Sequence, residues 1–266
     1  MKISIVTICF KEEKNIAKTI ESVLMQSSED FEYIICDAKS PDKTVEIAES
    51  YKEQFEEKGV AYFVNSEKDA GIYDGMNKGI AKASGEYIYF LNAGDSFFDK
   101  DVVGTVIKAV YKNEFPDILY GAVATVEKNI TTILPADHTR LEEYMSVSHP
   151  GVFAKTELMK ESPFSIDYKI GADYHFILGQ FLQKKNFFKV ENLVVAYFSS
   201  DGVSSVNIIQ SIKEQEKVKS EYGVKTRRLK WLLFAYKKQL FVVIKRCIPQ
   251  KVWELWSVKI KKKSIC

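Results

Sequence analysis

Polar and acidic side chains stand at the carboxyl ends of several apolar runs in this sequence. Thr7 lies near the end of the first run, and Asp37 directly follows the second. Asn92 and Asp95 follow a later one. Such oxygen-bearing side chains suit a hard divalent cation, and carboxylates also accept hydrogen bonds from ligands. A single aspartate after a strand is commonly a turn residue or a helix cap, so it is the repetition that indicates a binding site.

The elements that must position these residues alternate between two periodicities. Runs rich in β-branched and aromatic residues predict strands over 3–8, 33–36, 60–64 and 87–91. Apolar residues at helical spacing predict one helix after the first strand and another from Thr44 through Tyr51. This order predicts an α/β fold with a mostly parallel central sheet and flanking helices. Ligands of such sheets bind beyond the carboxyl ends of the strands.

Charge divides the chain into two parts. Its 266 residues are 46% apolar, which excludes intrinsic disorder, and the formal net charge is only +2. Residues 225–266, however, hold 13 Lys or Arg and one acid, Glu254. We therefore predict a main domain over 1–205 and a helical basic extension over 206–266.

The basic extension has an amphipathic pattern. Apolar residues that include Trp231 and Phe234 alternate with cations, and Pro249 separates two predicted helices. Such helices suit the surface of an anionic membrane, which is the interpretation we favour. The alternatives are a helix packed on the main domain and a nucleic-acid-binding tail. The high apolar content argues against nucleic acid.

Targeting and cysteine signals predict an intracellular protein. Lys11, Glu12 and Glu13 follow the first apolar run without a cleavage site, so the beginning of the chain resembles a strand and not a signal peptide. No apolar stretch reaches the roughly 20 residues of a spanning helix. Cys9 and Cys36 lie in apolar runs without CxxC spacing and are predicted to be buried free thiols. We expect a cytoplasmic location, peripheral on the inner face of the cell membrane.

Four segments together resemble the family 2 glycosyltransferases. They are SIVTICFKEEKNIAKTIESVLMQ from Ser4, EYIICDAKSPDKT from Glu32, SEKDAGIYDGMNKGIAKASGEYIYFLNAGD from Ser66, and SHPGVFAK through IGADYHFIL from Ser148. They follow the family's order over residues 3 to about 205, and the third is the most specific. The resemblance implies a GT-A fold and an inverting sugar transfer from a nucleotide sugar.

The resemblance assigns Asp37 to the nucleotide base, with Thr7 and Phe10 lining the base and ribose. A carboxylate accepts hydrogen bonds but cannot donate them. It therefore suits the N3–H of uracil or thymine and not the ring nitrogen of cytosine. The expected donor is a UDP sugar, with dTDP as the alternative.

A divalent metal, Mn²⁺ or Mg²⁺, is implied at the diphosphate, where the departing group develops negative charge. Asp95 matches the last acid of the family's Asp-x-Asp-type motif and is the expected ligand. Asn92, Ala93 and Gly94 form the rest of the motif. Gly94 stands where many relatives carry an acid, so we expect a weakly held metal bound mostly by diphosphate and water. Metal independence is the alternative.

Further donor contacts are implied on the loop and helix of the third segment. Four residues lie where relatives contact the donor: Asp69, Asp74, Asn77 and Lys78. For Asp74 and Lys78 the alternative is a solvated i,i+4 pair. His149 resembles a histidine that relatives show before a buried strand, which implies binding of diphosphate, acceptor or metal. A structural role is its alternative.

Asp173 falls where relatives of this type place their catalytic base, at the start of a helix. A positioned base that takes the proton of the acceptor hydroxyl typically contributes roughly 10²- to 10⁴-fold. The structural alternative is an N-cap for the helix predicted over 176–182.

The function these residues predict is transfer of a hexose or N-acetylhexosamine from a UDP sugar to a hydroxyl of a lipid-linked glycan in bacterial polysaccharide biosynthesis. Sugar-phosphate nucleotidyltransferases and dinucleotide-binding dehydrogenases usually have a glycine-rich loop after the first strand. Residues 9–13 contain no glycine, which argues against both classes. A non-catalytic sugar-nucleotide or glycan-binding relative is the alternative from another class.

Overall fold

The computed structural model describes residues 1–127, 130–198 and 207–225. Contacts divide the chain into one unit over Met1–Gly202 and another over Val203–Cys266. Within the second unit the described part is a single helix, Ile208–Glu221, with its flanking residues. The predicted domain boundary after residue 205 and the amphipathic helices predicted beyond residue 225 lie outside the described residues, and they stay predictions.

Strands and helices alternate through the first half of the main unit. Their bounds are β1 Ile3–Cys9, α1 Ile16–Leu24, β2 Phe31–Asp37, α2 Thr44–Glu49, α3 Lys52–Glu57, β3 Ala61–Ser66, α4 Ile72–Lys82 and β4 Tyr87–Phe90. The strands pair in parallel in the order β3-β2-β1-β4. The helix predicted through Tyr51 is divided into α2 and α3. At the division, the Ser50 hydroxyl donates to the Ile47 carbonyl at 2.7 Å, a local bond that competes with the helix.

The second half adds antiparallel pairs. Its elements are β5 Ser96–Phe97, α5 Val102–Lys112, β6 Ile118–Glu127, β7 Ile130–Leu134, β8 Val152–Lys155, α6 Thr156–Glu161, α7 Ala172–Leu182 and β9 Phe187–Phe198, and α8 is the helix Ile208–Glu221 of the second unit. The sheet continues as β4-β8-β6-β9-β5, and β7 pairs with β6. β8 is antiparallel to both β4 and β6, whereas β6 and β9 are parallel.

The predicted α/β sheet with flanking helices is confirmed, and its uninterrupted parallel part is β3-β2-β1-β4. The antiparallel pairs beyond it were not predicted. Successive strands β6 and β7 are antiparallel neighbours, an arrangement that short connections allow, whereas parallel neighbours need a long crossover.

Alternate residues of β1 face different helices. Ile3 and Ile5 belong to the buried core that includes residues of α1 and α5. On the other side α4 lies directly on the strand, because a Cβ at Gly79 would come within 2.5 Å of the Val6 Cγ1 atom. The bare backbone of Gly79 thus permits a close approach that fixes α4 on the sheet.

The two described cysteines are free and buried, as predicted. Burial raises the pKa of the Cys36 thiol to about 11, so it stays protonated near neutral pH. Among the helices of the described residues, none is both long and apolar enough to cross a bilayer.

Candidate active site

The ends of β1, β2 and β4 meet at one edge of the sheet. Cys9 lies opposite Asp37 in the parallel register of β1 and β2. The chain after β4 continues beside β1, where the backbone N–H of Ala93 donates to the Ile8 carbonyl at 3.2 Å. Asp37 and the turn 92–95 therefore flank the end of β1 from its two sides.

The two carboxylate oxygens of buried Asp37 are used unequally. Oδ2 accepts from the backbone N–H of Ser40 at 2.9 Å and from the hydroxyl of Ser66 at 2.6 Å. Oδ1 is approached by the thiol of Cys9 at 3.8 Å, and a thiol is a weak donor. Oδ1 therefore keeps most of its capacity to accept a hydrogen bond from a ligand.

The side chain of Thr7 is directed into the sheet, and its contact with base and ribose stays a prediction. Its hydroxyl is fully buried, where it bonds the Tyr33 hydroxyl at 2.9 Å and donates to the Leu91 carbonyl at 2.6 Å. Thr7 thus ties β1 to its two neighbouring strands. This role depends on the tertiary structure, because the buried hydroxyl of Tyr33 needs a polar partner and Thr7 supplies it.

Phe10 and two lysines lie just beyond the strand ends. Phe10 is 51% exposed, and the Lys11 ammonium lies 5.1 Å from the centre of its ring. Lys11 and Lys39 have φ of 59° and 64°, a left-handed backbone that is uncommon outside glycine and asparagine.

The turn after β4 is held by α1. The Thr19 hydroxyl donates to the Asp95 carbonyl at 2.7 Å and accepts from the Gly94 N–H at 3.0 Å. Gly94 has φ of 95°, a conformation that residues with a Cβ rarely adopt, so glycine suits this position.

The same turn has the oxygen atoms for a weakly held metal. Asp95 is buried, and Oδ1 of Asn92 is buried without a hydrogen-bond partner. Groups of three or more His, Cys, Asp or Glu that would form a complete metal site are absent from the described residues. One carboxylate and one orphaned amide oxygen fit an ion held mainly by a bound diphosphate and water.

Asp69 lies beside the start of α4, close to where donor contact was predicted. Its Oδ1 accepts from the Gly71 N–H at 3.1 Å. A Cβ at Gly75 would come within 3.0 Å of its Oδ2, so the carboxylate lies against the backbone of Gly75, where a side chain would crowd it. Gly71 has φ of 132° and ends the loop at the N-cap of α4.

Asp74 and Lys78 make the contacts expected of a solvated helix face. Their charged groups are 3.6 Å apart, with 30% and 24% of the side chains exposed. Asp74 also accepts from the Ala70 N–H at 2.9 Å, and Lys78 donates to the Lys68 carbonyl. The structure thus gives both residues a role at the start of α4, and contact with a donor stays a prediction.

Asn77 binds the backbone of another segment, and its role at the donor stays a prediction. Its amide donates to the Phe164 carbonyl at 2.8 Å, and its Oδ1 accepts from the Phe164 N–H at 2.9 Å. Both polar groups of the side chain are therefore used to hold a segment 87 residues away. Sequence spacing contains no signal for such a contact.

Asp173 is in the first turn of α7, but it is not the N-cap, which is Gly171. Its Oδ1 accepts from the Tyr174 N–H at 2.7 Å. The Tyr73 hydroxyl lies 3.3 Å from the same oxygen. Tyr73 stands within the most specific sequence segment, and its contact with Asp173 was missed because the two are 100 positions apart.

His149 is near Asp173 but has a neutral imidazole. Its Nε2 is buried without a hydrogen-bond partner. Burial lowers the pKa of His149 to about 4, so it offers no positive charge to a diphosphate near neutral pH. His149 and Asp173 both line a cavity of about 10 Å³, with Phe90 and Phe164 among the other lining residues. That size suits a single water molecule.

His149 should make the folded state sensitive to acid. Its folded pKa of about 4 is below the ordinary value of 6.5, so between these values the unfolded chain binds a proton that the folded state does not. The free energy of unfolding should therefore fall as pH is lowered from 7 to 4, by up to about 3 kcal/mol from this group.

Urea unfolding of wild type and His149→Leu at several pH values measures this contribution. The variant should lose less stability between pH 7 and pH 4, and NMR titration should assign the lowest imidazole pKa to His149. Equal pH dependence in the two proteins would show that folding does not lower the pKa of His149.

A larger cleft of about 540 Å³ borders the turn at Gly94. Its wall includes Lys18, Met25, Tyr197 and Phe198. Asp37, Asp69 and Asp173 are not among its lining residues, whereas Gly94 of the predicted donor motif is.

The fold is that of the GT-A glycosyltransferases. Residues 4–173 match the family model described as glycosyl transferase family 2. The chain belongs to this family.

Known relatives agree with this assignment. A PGL/p-HBAD biosynthesis glycosyltransferase of Mycobacterium bovis is 27% identical over 191 residues, covering 71% of this chain and 73% of the relative. The structure of S. aureus TarS 1-349 in complex with UDP has a TM-score of 0.65 at 19% identity, covering 82% of this chain and 65% of that chain. The mannosyltransferase PcManGT from Pyrobaculum calidifontis, in complex with GDP-Man and Mn²⁺, has a TM-score of 0.64 at 14% identity, with coverages of 98% and 79%. At these identities the two structures show the fold alone.

Proposed function

We propose that this chain is an inverting glycosyltransferase that transfers a hexose or N-acetylhexosamine from a UDP sugar to a hydroxyl of a lipid-linked glycan in bacterial polysaccharide biosynthesis. The observation that carries the proposal is the Asp37 carboxylate, whose Oδ2 is held by two donors while Oδ1 is left to accept from a ligand. The N3–H of uracil is such a donor, whereas N3 of cytosine is an acceptor. Because the structural relatives were solved with UDP and with GDP-Man, the choice of uridine depends on Asp37 and not on the fold.

Donor binding divides between the strand ends and α4. Asp37 accepts from the base, and Phe10 covers one side of the nucleotide near the exposed Lys11. The diphosphate lies toward the turn of Asp95, and Asp69 at the start of α4 accepts from hydroxyls of the donor. A divalent ion bound there would neutralise the charge that develops on the departing diphosphate.

Asp173 completes the reaction from the acceptor side. As the acceptor oxygen forms its bond to the anomeric carbon, the bond from that carbon to UDP breaks, and the hydroxyl proton passes to the Asp173 carboxylate. Attack on the face opposite UDP inverts the anomeric configuration.

The acceptor and the location rest on the charge pattern of the chain. The proposed enzyme is cytoplasmic and peripheral on the inner face of the cell membrane, with the extension 206–266 on the lipid surface. The 13 basic residues over 225–266 support this arrangement, since each cation near an anionic surface contributes about 1 kcal/mol. A lipid-linked acceptor would be found at that surface.

Calorimetric titration with UDP, dTDP, GDP and CDP, with and without Mn²⁺, tests the donor half of the proposal. Uridine nucleotides should bind most tightly, and Mn²⁺ should tighten UDP binding. Asp95→Asn should lose that enhancement, because it removes the one carboxylate of the turn. A charge-assisted contact is worth about 1.5–3 kcal/mol, which is roughly ten- to a hundredfold in Kd.

Asp99→Asn is the matched control, an exposed aspartate four positions beyond Asp95. It should keep the response to Mn²⁺. Absence of nucleotide binding under every condition would contradict the transferase assignment. Tight UDP binding without turnover would instead favour a binding relative without activity, the candidate that Gly94 supports by leaving one carboxylate in the turn.

A further inference from the structure

The chain that leads into α7 is irregular and needs an anchor. Residues 162–171, between α6 and α7, form neither helix nor strand. Irregular segments are more mobile than the elements they connect. Asp173 is the second residue of α7, which begins directly after this segment, so the contacts of the segment affect its position.

Helix α4 holds this segment near both of its ends. Near the start, Asn77 bonds the carbonyl and the N–H of Phe164 at 2.8 and 2.9 Å. At the end, the Tyr73 hydroxyl donates to the Ile170 carbonyl at 2.5 Å and lies 3.3 Å from Asp173 Oδ1. Tyr73 and Asn77 are four positions apart, so they share one face of the helix.

Tyr73 is built into the contact. Its side chain is 6% exposed, and its ring lies 5.5 Å from that of Phe164. Burial raises the pKa of the Tyr73 hydroxyl well above its usual value, so the group stays neutral. The hydroxyl has one proton, which it can donate to the Ile170 carbonyl or to Asp173 Oδ1, so it links the backbone before α7 to the side chain of Asp173.

We propose that Tyr73 is a positioning residue for the base Asp173, and that Tyr73 and Asn77 form a clasp between the donor-binding helix and the base. The clasp fixes the position of Asp173 relative to α4. This helix follows the loop of Asp69 at its amino end and packs closely on β1 at Gly79. This inference rests on the proposed function, because it takes Asp173 as the base. Displacement of a reacting group by 1 Å can reduce the rate about a hundredfold.

Tyr73→Phe removes the hydroxyl and keeps the ring. We expect kcat for sugar transfer to fall roughly ten- to a hundredfold, while the donor KM and the Kd for UDP change less than about twofold because the nucleotide contacts are intact. Hydrogen exchange of peptides over 162–174 should become faster. Asn77→Asp can accept from the Phe164 N–H but can no longer donate to its carbonyl. This variant should likewise lower kcat and leave the donor KM nearly unchanged.

Tyr87→Phe is the matched control. Its buried hydroxyl also donates to a backbone carbonyl, that of Pro116, at 2.5 Å, and Tyr87 begins β4, at the opposite end of the strand from the Asp95 turn. It should leave kcat and the exchange over 162–174 unchanged.

The outcomes separate this inference from the proposed function. If the wild type transfers sugar and Tyr73→Phe keeps a normal kcat, the positioning role is overturned and the proposed function stands. Equal losses in Tyr73→Phe and Tyr87→Phe would likewise overturn it, because they would reflect general destabilisation. A wild type that binds UDP but transfers to no acceptor would overturn the proposed function, and this role with it.

Discussion

Replacing Asp173 by asparagine should reduce kcat for sugar transfer by roughly 10²- to 10⁴-fold, the usual contribution of a positioned base. Asparagine has nearly the same shape, and its amide oxygen can still accept from the Tyr174 N–H that Asp173 binds at 2.7 Å. It cannot take up the proton of the acceptor hydroxyl near neutral pH. The change should therefore appear in kcat, with the Kd for UDP unchanged.

The assay should measure transfer, UDP affinity and the configuration of the product. Asp167→Asn is the control, since Asp167 is exposed in the segment that leads to α7, and it should keep full activity. A donor with an α-linked sugar should give a β-linked product. Asp173→Asn with wild-type kcat would assign the proton transfer to another group, and a product of retained configuration would exclude the single displacement.

Asp37→Asn should turn the nucleotide preference from uridine toward cytidine. At this position Oδ2 accepts from both Ser40 and Ser66, and an amide can satisfy two donors only with its oxygen. The NH₂ group is therefore directed to the place of Oδ1, where it opposes the N3–H of uracil and suits N3 of cytosine. An unpaired buried donor costs about 1–3 kcal/mol, so the Kd for UDP should rise roughly ten- to a hundredfold.

Calorimetry with UDP and CDP measures the ratio of the two affinities. Asp42→Asn is the matched control, a partly exposed aspartate of the same loop whose Oδ1 accepts from the Thr44 N–H. It should keep the wild-type preference. Ser66→Ala combined with Asp37→Asn should weaken the preference for CDP, because one of the two donors that orient the amide is removed. Unchanged selectivity in Asp37→Asn would mean that Asp37 does not contact the base.

Strand ends were predictable because the pattern is local. The alternation of apolar runs with helical periodicity predicted β1 to β4, and parallel pairing brings the ends of β1 and β2 together. Asp37 and the turn at Asp95 follow from their positions after those strands. The resemblance to family 2 glycosyltransferases is confirmed by the family match over residues 4–173. The roles assigned to Asp37, Asp95 and Asp173 stay predictions.

Side chains within the motif from Asp69 to Gly79 were harder to assign. All of them fall in one specific segment, but a helix directs them to different neighbours. Gly79 faces Val6 of the sheet, Asp74 and Lys78 pair at the surface, and Asn77 binds the backbone of Phe164. Helical spacing predicted the Asp74–Lys78 pair as an alternative, because both partners are on the same helix.

The sequence by itself determined the family, the order of strands and helices in the first half, and the acidic residues at the strand ends, since each depends on residues close together in the chain. Only the tertiary structure decided that Thr7 is used inside the sheet, that the Nε2 atom of His149 is buried, and that Tyr73 touches Asp173. These outcomes depend on partners 26 to 100 positions away and on burial. Hydrogen-bond partners and pKa values of this kind are properties of the packed protein.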